Sequence, residues 1–224
     1  MKSLEAELAE ARALDEGALA DAVQSIGFEC TRCGACCRGE EGEAHTATVF
    51  PDEIRGLQDA TGRDWRDVAR PMPFGLESGA DGPEGETFEW ALQTDDCGDC
   101  TFYEERSGGE AGEQAGAGHC TVHADRPLIC RTYPFSVALG GTSQPMGDPV
   151  DSKGLVRAHE CEGLGRDISL TDAERLASDL KTRAVRELEE AIAVRDVYDP
   201  ADPDAGEVVV HDSEGPKRPD GSPP

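Results

Sequence analysis

Apolar residues in the N-terminal segment recur at helical spacing. Leu4, Leu8 and Ala11, then Leu19, Val23 and Ile26, stand three or four apart, which predicts one helix over residues 3–26, weakened at Gly17. His45 to Phe50 has the β-branched and aromatic character of a short strand. Pro51-Asp52-Glu53 then supplies a first-turn proline and two acids, the expected start of a helix carrying Ile54 and Leu57 and stopping near Gly62. Trp65 and Val68 mark a further turn before Pro71. Thr87 to Thr94 is predicted to be a strand running into Cys97, with Thr101-Phe102-Tyr103 as its partner. Near the C-terminus Leu176, Leu180, Ala184, Leu188 and Ile192 keep an i,i+4 rhythm to about Arg195, and Thr171-Asp172-Ala173-Glu174 fits a capping box. Residues 75–87 and 140–153 are expected to be loops, residues 107–118 a flexible Gly/Ala/Glu/Ser insertion, and residues 199–224 a disordered tail.

Composition changes this picture. Leu, Ile, Val and Phe make up 39 of 224 residues, while 47 Asp and Glu against 21 Lys and Arg leave a net charge of −26. So little large apolar surface on so charged a chain is typical of disorder. No run is long enough to cross a membrane, and an acidic chain is a poor match for nucleic-acid phosphates. The cations comprise 17 Arg and 4 Lys. This bias, with the excess of acid, suits a salt-rich cytoplasm in which self-repulsion is screened, so a halophilic source is expected; an acidic partner-binding surface is the alternative. The acidic start Met1-Lys2-Ser3-Leu4-Glu5 lacks the apolar stretch of a secretory signal, and a cytoplasmic location is expected.

Nine cysteines argue against simple disorder. In a reducing compartment thiols hold metals or do chemistry more often than they pair, and an odd number cannot pair completely. Cys30-Thr-Arg-Cys33-Gly-Ala-Cys36-Cys37 places thiols at steps of three, which curls the chain about a small volume. Cys36 and Cys37 are adjacent, so their side chains are expected to diverge and to serve different sites. Cys97, Cys100, Cys120, Cys130 and Cys161 follow. These suffice for one or two sites of four ligands with at least one thiol spare; spacing does not say which thiols share a site, and one or two could be buried apolar residues.

Four thiolates suit both zinc and iron–sulfur. The three-step run matches the opening of the bacterial ferredoxin pattern and favours a cluster, whose reduction potential a charge of −26 would lower. Arg32, Arg38 and Arg131 flank cysteines and could offset that charge. His119 and His123 bracket Cys120 and could replace a thiolate, or simply lie in the core or at the surface. His45, His159 and His211 carry no signal. No Ser-His-Asp or Cys-His catalytic arrangement stands out, and the glycine-rich stretches lack the strand–turn–helix setting of a nucleotide pocket.

Phe28-x-Cys30-x-x-Cys33-Gly34-x-Cys36-Cys37, the Cys100-Thr-Phe-Tyr segment, Cys120 followed by Arg126-Pro127-x-x-Cys130-Arg131-x-Tyr133-Pro134-Phe135, and Cys161-x-Gly163-x-Gly165 together form a pattern spanning about 60% of the chain. It resembles the YkgJ family of cysteine-cluster proteins, the CxxCxxCC proteins described as zinc- or iron-chelating and often labelled Fe–S oxidoreductases. The resemblance implies metal ligation by Cys30, Cys33, Cys36, Cys37, Cys100, Cys120, Cys130 and Cys161; Cys97 falls outside the pattern. It implies an iron–sulfur cluster (4Fe–4S) or zinc as cofactor, and a redox or protein partner of unknown identity. Flagellin lysine N-methylase-like proteins carry the same domain, which makes a methylase an alternative to a redox protein and to a zinc-bound interaction module. Arg126 and Arg131 would neutralise thiolate charge or pair with carboxylates, and Tyr133, Pro134 and Phe135 would pack over the site.

The expectation is therefore an α+β fold. A small metal-stapled domain of short antiparallel strands (28–165) is flanked by an N-terminal helix (1–27), a C-terminal helix (166–198) and an acidic tail (199–224).

Overall fold

The computed structural model describes residues 2–39, 43–80, 82–105, 118–139, 151 and 154–224. Its helices are α1 (Leu4–Arg12), α2 (Glu16–Ile26), α3 (Pro51–Thr61), α4 (Trp65–Val68), α5 (Leu128–Thr132) and α6 (Leu170–Val197). Its strands are β1 (Thr48–Val49), β2 (Ala69–Pro71), β3 (Glu77–Gly79), β4 (Gly82–Thr87), β5 (Trp90–Leu92), β6 (Tyr103–Glu105), β7 (Gly118–Cys120), β8 (Phe135–Val137), β9 (Val156–Ala158), β10 (Val208–Asp212) and β11 (Gly215–Lys217). The fold is α+β, with its strands in several small sheets. Two compact units share the chain, Met1–Cys33 with Leu128–Ala191, and Gly34–Pro127 with Ile192–Pro224.

The first unit is mainly helical. The single helix expected over residues 3–26 is two helices. Ser3 Oγ accepts the Ala6 N–H (3.3 Å), and after a break at residues 13–15 Asp15 Oδ1 accepts the Ala18 N–H (2.8 Å). Asp15 is extended and starts a new helix, so the break lies at this cap and not at Gly17. The apolar rows are buried as their spacing predicts: Leu8, Ala11, Leu19 and Val23 on the first two helices, and Ala173, Leu176, Leu180, Ala184 and Leu188 on α6. α6 starts one residue before the expected box. Ser169 Oγ accepts the Asp172 N–H (3.1 Å) and donates to Asp172 Oδ2 (2.7 Å), so Ser169 caps the helix in place of Thr171. Buried Arg183 donates to Thr132 Oγ1 (3.0 Å) and Glu187 Oε1 (2.7 Å), which compensates its loss of water. β8 and β9 form an antiparallel pair.

The second unit is built from short strands around two tryptophans. Trp65 and Trp90 meet edge to face at 5.1 Å, among buried Val49, Ile54, Leu57, Val68 and Phe102. β1, β5 and β2 form one antiparallel sheet, and β6 pairs β7. A four-stranded sheet runs in the order β11-β10-β4-β3, in which β10 lies parallel to β4. Because these two strands are far apart in sequence, no hairpin dictates their direction.

Three expectations are corrected in this unit. Residues 75–87, expected to be a loop, contain β3 and β4, held partly by the Gly85 N–H donating to the Glu207 carbonyl (2.9 Å). The proposed hairpin partner of residues 87–94 shrinks to the Thr94–Cys100 bridge and the Thr101 N–H on the Gln93 carbonyl (2.8 Å), while β5 pairs with β1 and β2. Residues 199–224 are not a disordered tail, since they supply β10 and β11. Averaged composition hid the run Val208-Val209-Val210, whose last two members are buried. Trp90 Nε1 donates to Asp212 Oδ2 (2.8 Å), Lys217 pairs with Asp212, and Arg55 pairs with Glu214 (2.6 Å), which offsets the acids that suggested disorder. The insertion expected over residues 107–118 lies outside the described residues except for Gly118, as does most of the loop expected over 140–153. Among the described residues no helix is long and apolar enough to cross a membrane.

Candidate metal centre

In the second unit a left-handed Gly34 (φ 78°) leads into a 3-10 turn, Ala35–Cys37. This turn reverses the expected divergence of Cys36 and Cys37, whose sulfurs lie 3.9 Å apart. The Cys100 N–H donates to the Cys37 carbonyl (2.8 Å), tying the turn to the second cysteine segment. Cys120 sits on β7 opposite Tyr103. The Tyr103 ring is laid so closely against Gly34 and Gly118 that a Cβ at either position would run into it. Its hydroxyl accepts from Arg38 Nη2 (2.6 Å), and the guanidinium lies 5.3 Å from the ring centroid. Tyr103 thus packs two cysteine-bearing segments, and these two glycines make room for it.

The four thiols feel one another. The hydrogen bond with Cys37 brings Cys36 down from an ordinary 9.0 to about 7, and the Arg126 charge acts in the same sense. Burial pushes Cys100 up to about 11, against a weaker opposing effect of Arg63. Burial also raises Cys120, again partly opposed by Arg126. At neutral pH Cys36 is therefore nearer to ionising than Cys100 or Cys120, and Cys100 needs a strong positive partner to lose its proton. Arg126, held by donation from Nε to the His123 carbonyl (3.0 Å), is close enough for its charge to act on both Cys36 and Cys120. Arg131 pairs with Asp179.

His45 carried no signal in the sequence, yet its Nε2 lies 3.1 Å from the Cys36 carbonyl, and burial lowers its pKa. The neutral ring donates to that carbonyl and braces the cysteine turn. Nothing in the local sequence pairs a histidine with a turn nine residues earlier. His119 lies 3.8 Å from Glu104. Cys97 is exposed on a turn where its N–H donates to Asp95 Oδ1 (2.8 Å).

The remaining four implied ligands, Cys30, Cys33, Cys130 and Cys161, belong to the first unit. There Phe28 bridges Leu164, the Glu29 N–H donates to the Gly163 carbonyl (3.1 Å), and the Cys161 thiol accepts the Gly163 N–H (3.4 Å). Cys30 and Cys161 thus lie on adjoining segments. Cys130 is on α5, which continues into Tyr133, whose hydroxyl donates to the Glu160 carbonyl (3.0 Å). Tyr133 stacks on His159 at 5.9 Å, and buried Phe135 meets Phe28 edge to face at 5.5 Å, so both are packed aromatics of the first unit, beside the segments that carry Cys161 and Cys30.

The donor chemistry suits a thiophilic ion. With metal–sulfur bonds of about 2.3 Å, a tetrahedral site has sulfurs about 3.8 Å apart, and Cys36 and Cys37 already stand at such a spacing. Among the described residues no three Cys, His, Asp or Glu side chains are close enough together to hold an ion. One edge of a site is formed, and its other thiols are near enough to act electrostatically.

Thiols carried on turns and short strands of a small α+β fold define a cysteine-cluster protein. The chain belongs to the CxxCxxCC family, described as a "putative zinc- or iron-chelating domain", which matches residues 29–162, and its role is metal binding. Comparisons with curated proteins and with solved structures give no match.

Proposed function

We propose that Cys36, Cys37, Cys100 and Cys120 hold a single zinc or iron ion through four thiolates. The observation that carries this reading is the 3.9 Å separation of the Cys36 and Cys37 sulfurs, an edge of a tetrahedron and shorter than the spacing expected of ligands on separate irons of one cubane. The ion would supply the positive charge that Cys100 and Cys120 need to ionise, and Arg126 would offset the net charge of a tetrathiolate site. Cys97, outside the family pattern, is left out of the set.

A second reading is an iron–sulfur cluster with a redox role. The run Cys30-x-x-Cys33-x-x-Cys36 favours it, because the spacing repeats that of ferredoxin ligands. Anaerobic purification followed by metal and acid-labile sulfide analysis separates the two. One zinc or iron without sulfide supports the first reading; a brown protein with stoichiometric sulfide supports the second and overturns the first. Within the first reading, Cys37→Ser is expected to reduce bound metal by at least half while Cys97→Ser leaves it unchanged. Equal metal loss in both variants would remove the proposed assignment.

A further inference from the structure

Beside the Cys100 segment, the second unit has an open surface recess of about 400 Å³ lined by Arg63, Arg66, Asp67, Gln93, Thr94 and Thr101. We propose that it binds a small ligand through a carboxylate or phosphate group held by Arg63 and Arg66. The volume lies near the lower end of the range for small-molecule sites, about 300–1,000 Å³, and every lining residue is polar or charged, so the ligand is polar as well.

The placement of the two guanidiniums is the main argument. In a chain with 47 acids, arginines find carboxylates easily, as Arg55 does with Glu214 (2.6 Å) and Arg183 with Glu187 (2.7 Å). Among the described residues Arg63 makes no ion pair. Its Nη1 donates to the Thr101 hydroxyl (3.0 Å) and carbonyl (3.3 Å), and its guanidinium lies 4.9 Å from the Phe102 ring centroid. The group is thereby oriented without using all of its five N–H donors. Arg66 lies 3.6 Å from Asp220, close enough to attract it but too far for a hydrogen bond. The wall between them is fixed: Gln93 Nε2 donates to the Arg66 carbonyl (2.7 Å) and its Oε1 accepts the Thr94 N–H (2.9 Å).

Asp67 and Asp220 balance the two arginines, so the recess is near neutral and an incoming oxyanion takes over Arg66 from Asp220. A planar guanidinium fork matches a carboxylate or phosphate in a way that an ammonium does not. Thr94 is bridged to Cys100 and Thr101 follows it, which places the ligand beside a cysteine-bearing segment.

The test is calorimetric titration of the full chain, at constant ionic strength, with inorganic phosphate and separately with succinate. One saturable site per chain is expected for at least one of them, and the one that binds tells phosphate from carboxylate recognition. Arg63→Gln and Arg66→Gln should each weaken it about tenfold or more. Should Arg63→Gln disturb the fold by circular dichroism, Arg66→Gln alone decides, because it leaves the Arg63–Thr101 contacts in place. No saturable binding of either anion, or an affinity unchanged in the folded variants, overturns the proposal. Binding is read without reference to metal content, so its outcome is independent of the thiolate site.

Discussion

The two units are held together by different means. The first buries rows of Leu, Val and Ala along helices, and its buried cation, Arg183, is satisfied by a hydroxyl and a carboxylate. The second has strands of two to six residues, two central tryptophans, and a buried pair, Lys217 with Asp212, on which the Trp90 indole also depends. Short strands pair few backbone groups and bury little area each, so specific polar contacts carry more of the structure. The contacting thiols Cys36 and Cys37, and Cys100 and Cys120, which lie within electrostatic reach of Cys36, are in this second unit. The contrast teaches that a chain poor in large apolar residues can set them in continuous rows along helices in one unit and, in the other, around an aromatic centre supplemented by hydrogen bonds, ion pairs and, by the present proposal, thiolate–metal bonds.

Breaking the contrast at its strongest point means removing Trp90. Trp90→Ala loses the Trp65 contact and leaves Asp212 without its indole donor, and should destabilise the protein by about 3–5 kcal/mol. Chemical denaturation followed by the remaining Trp65 fluorescence measures it; a loss under 1 kcal/mol would mean that the tryptophan pair does not organise the unit. The counterpart in the first unit is Leu180→Ala, where a fully buried leucine should cost about 2–5 kcal/mol. If the units respond separately, helical ellipticity should register this loss more strongly than Trp65 fluorescence does. Ser169→Ala removes the α6 cap and should cost about 1 kcal/mol, whereas Thr171→Ala should have almost no effect; equal costs would place the cap back at Thr171.

Acid gives a smaller effect, seen through Glu86 and Glu214 of the second unit. Glu86 is held below its ordinary 4.5 first by the Ala201 N–H, and Glu214 first by Arg55. Both carboxylates have depressed folded pKa values, so their stabilisation is complete above about 4.5 and is lost as pH falls through the folded values. Because Glu86 also receives His211 and Tyr198, this loss should loosen β10 first. Amide exchange of Val209 and Val210 between pH 5 and 3 reads it; Glu86→Gln should abolish the part due to Glu86, and unchanged behaviour in that variant would discard the assignment. Raising salt should stabilise the whole chain by screening its net charge of −26, and a melting temperature indifferent to salt would argue against the halophilic reading.

Much of the helical architecture was legible in the chain because helix signals are local. The spacing of Leu176, Leu180, Ala184 and Leu188 needs no distant partner to be recognised, and neither does the Pro51 start of α3. The strands were harder. β3 and β4 form a local hairpin in acidic, glycine-containing sequence, and β4 then pairs with β10 more than a hundred residues away, a choice that local propensity does not encode. The thiols were legible as a pattern but not as an arrangement. Adjacent Cys36 and Cys37 were expected to point apart, and it is the 3-10 turn after Gly34, packed by Tyr103 and braced by His45, that turns them toward each other.

By itself, then, the sequence determined the supply of donors, the excess of negative charge and the rows that become α2, α3 and α6, since each follows from residue type and local period. Only the tertiary structure decided how the thiols are divided between the units, which arginine faces the thiols and which faces Asp179, and that an acidic C-terminal segment would enter a sheet. Those outcomes depend on desolvation and on partners brought close by folding, and neither quantity exists until the chain has folded.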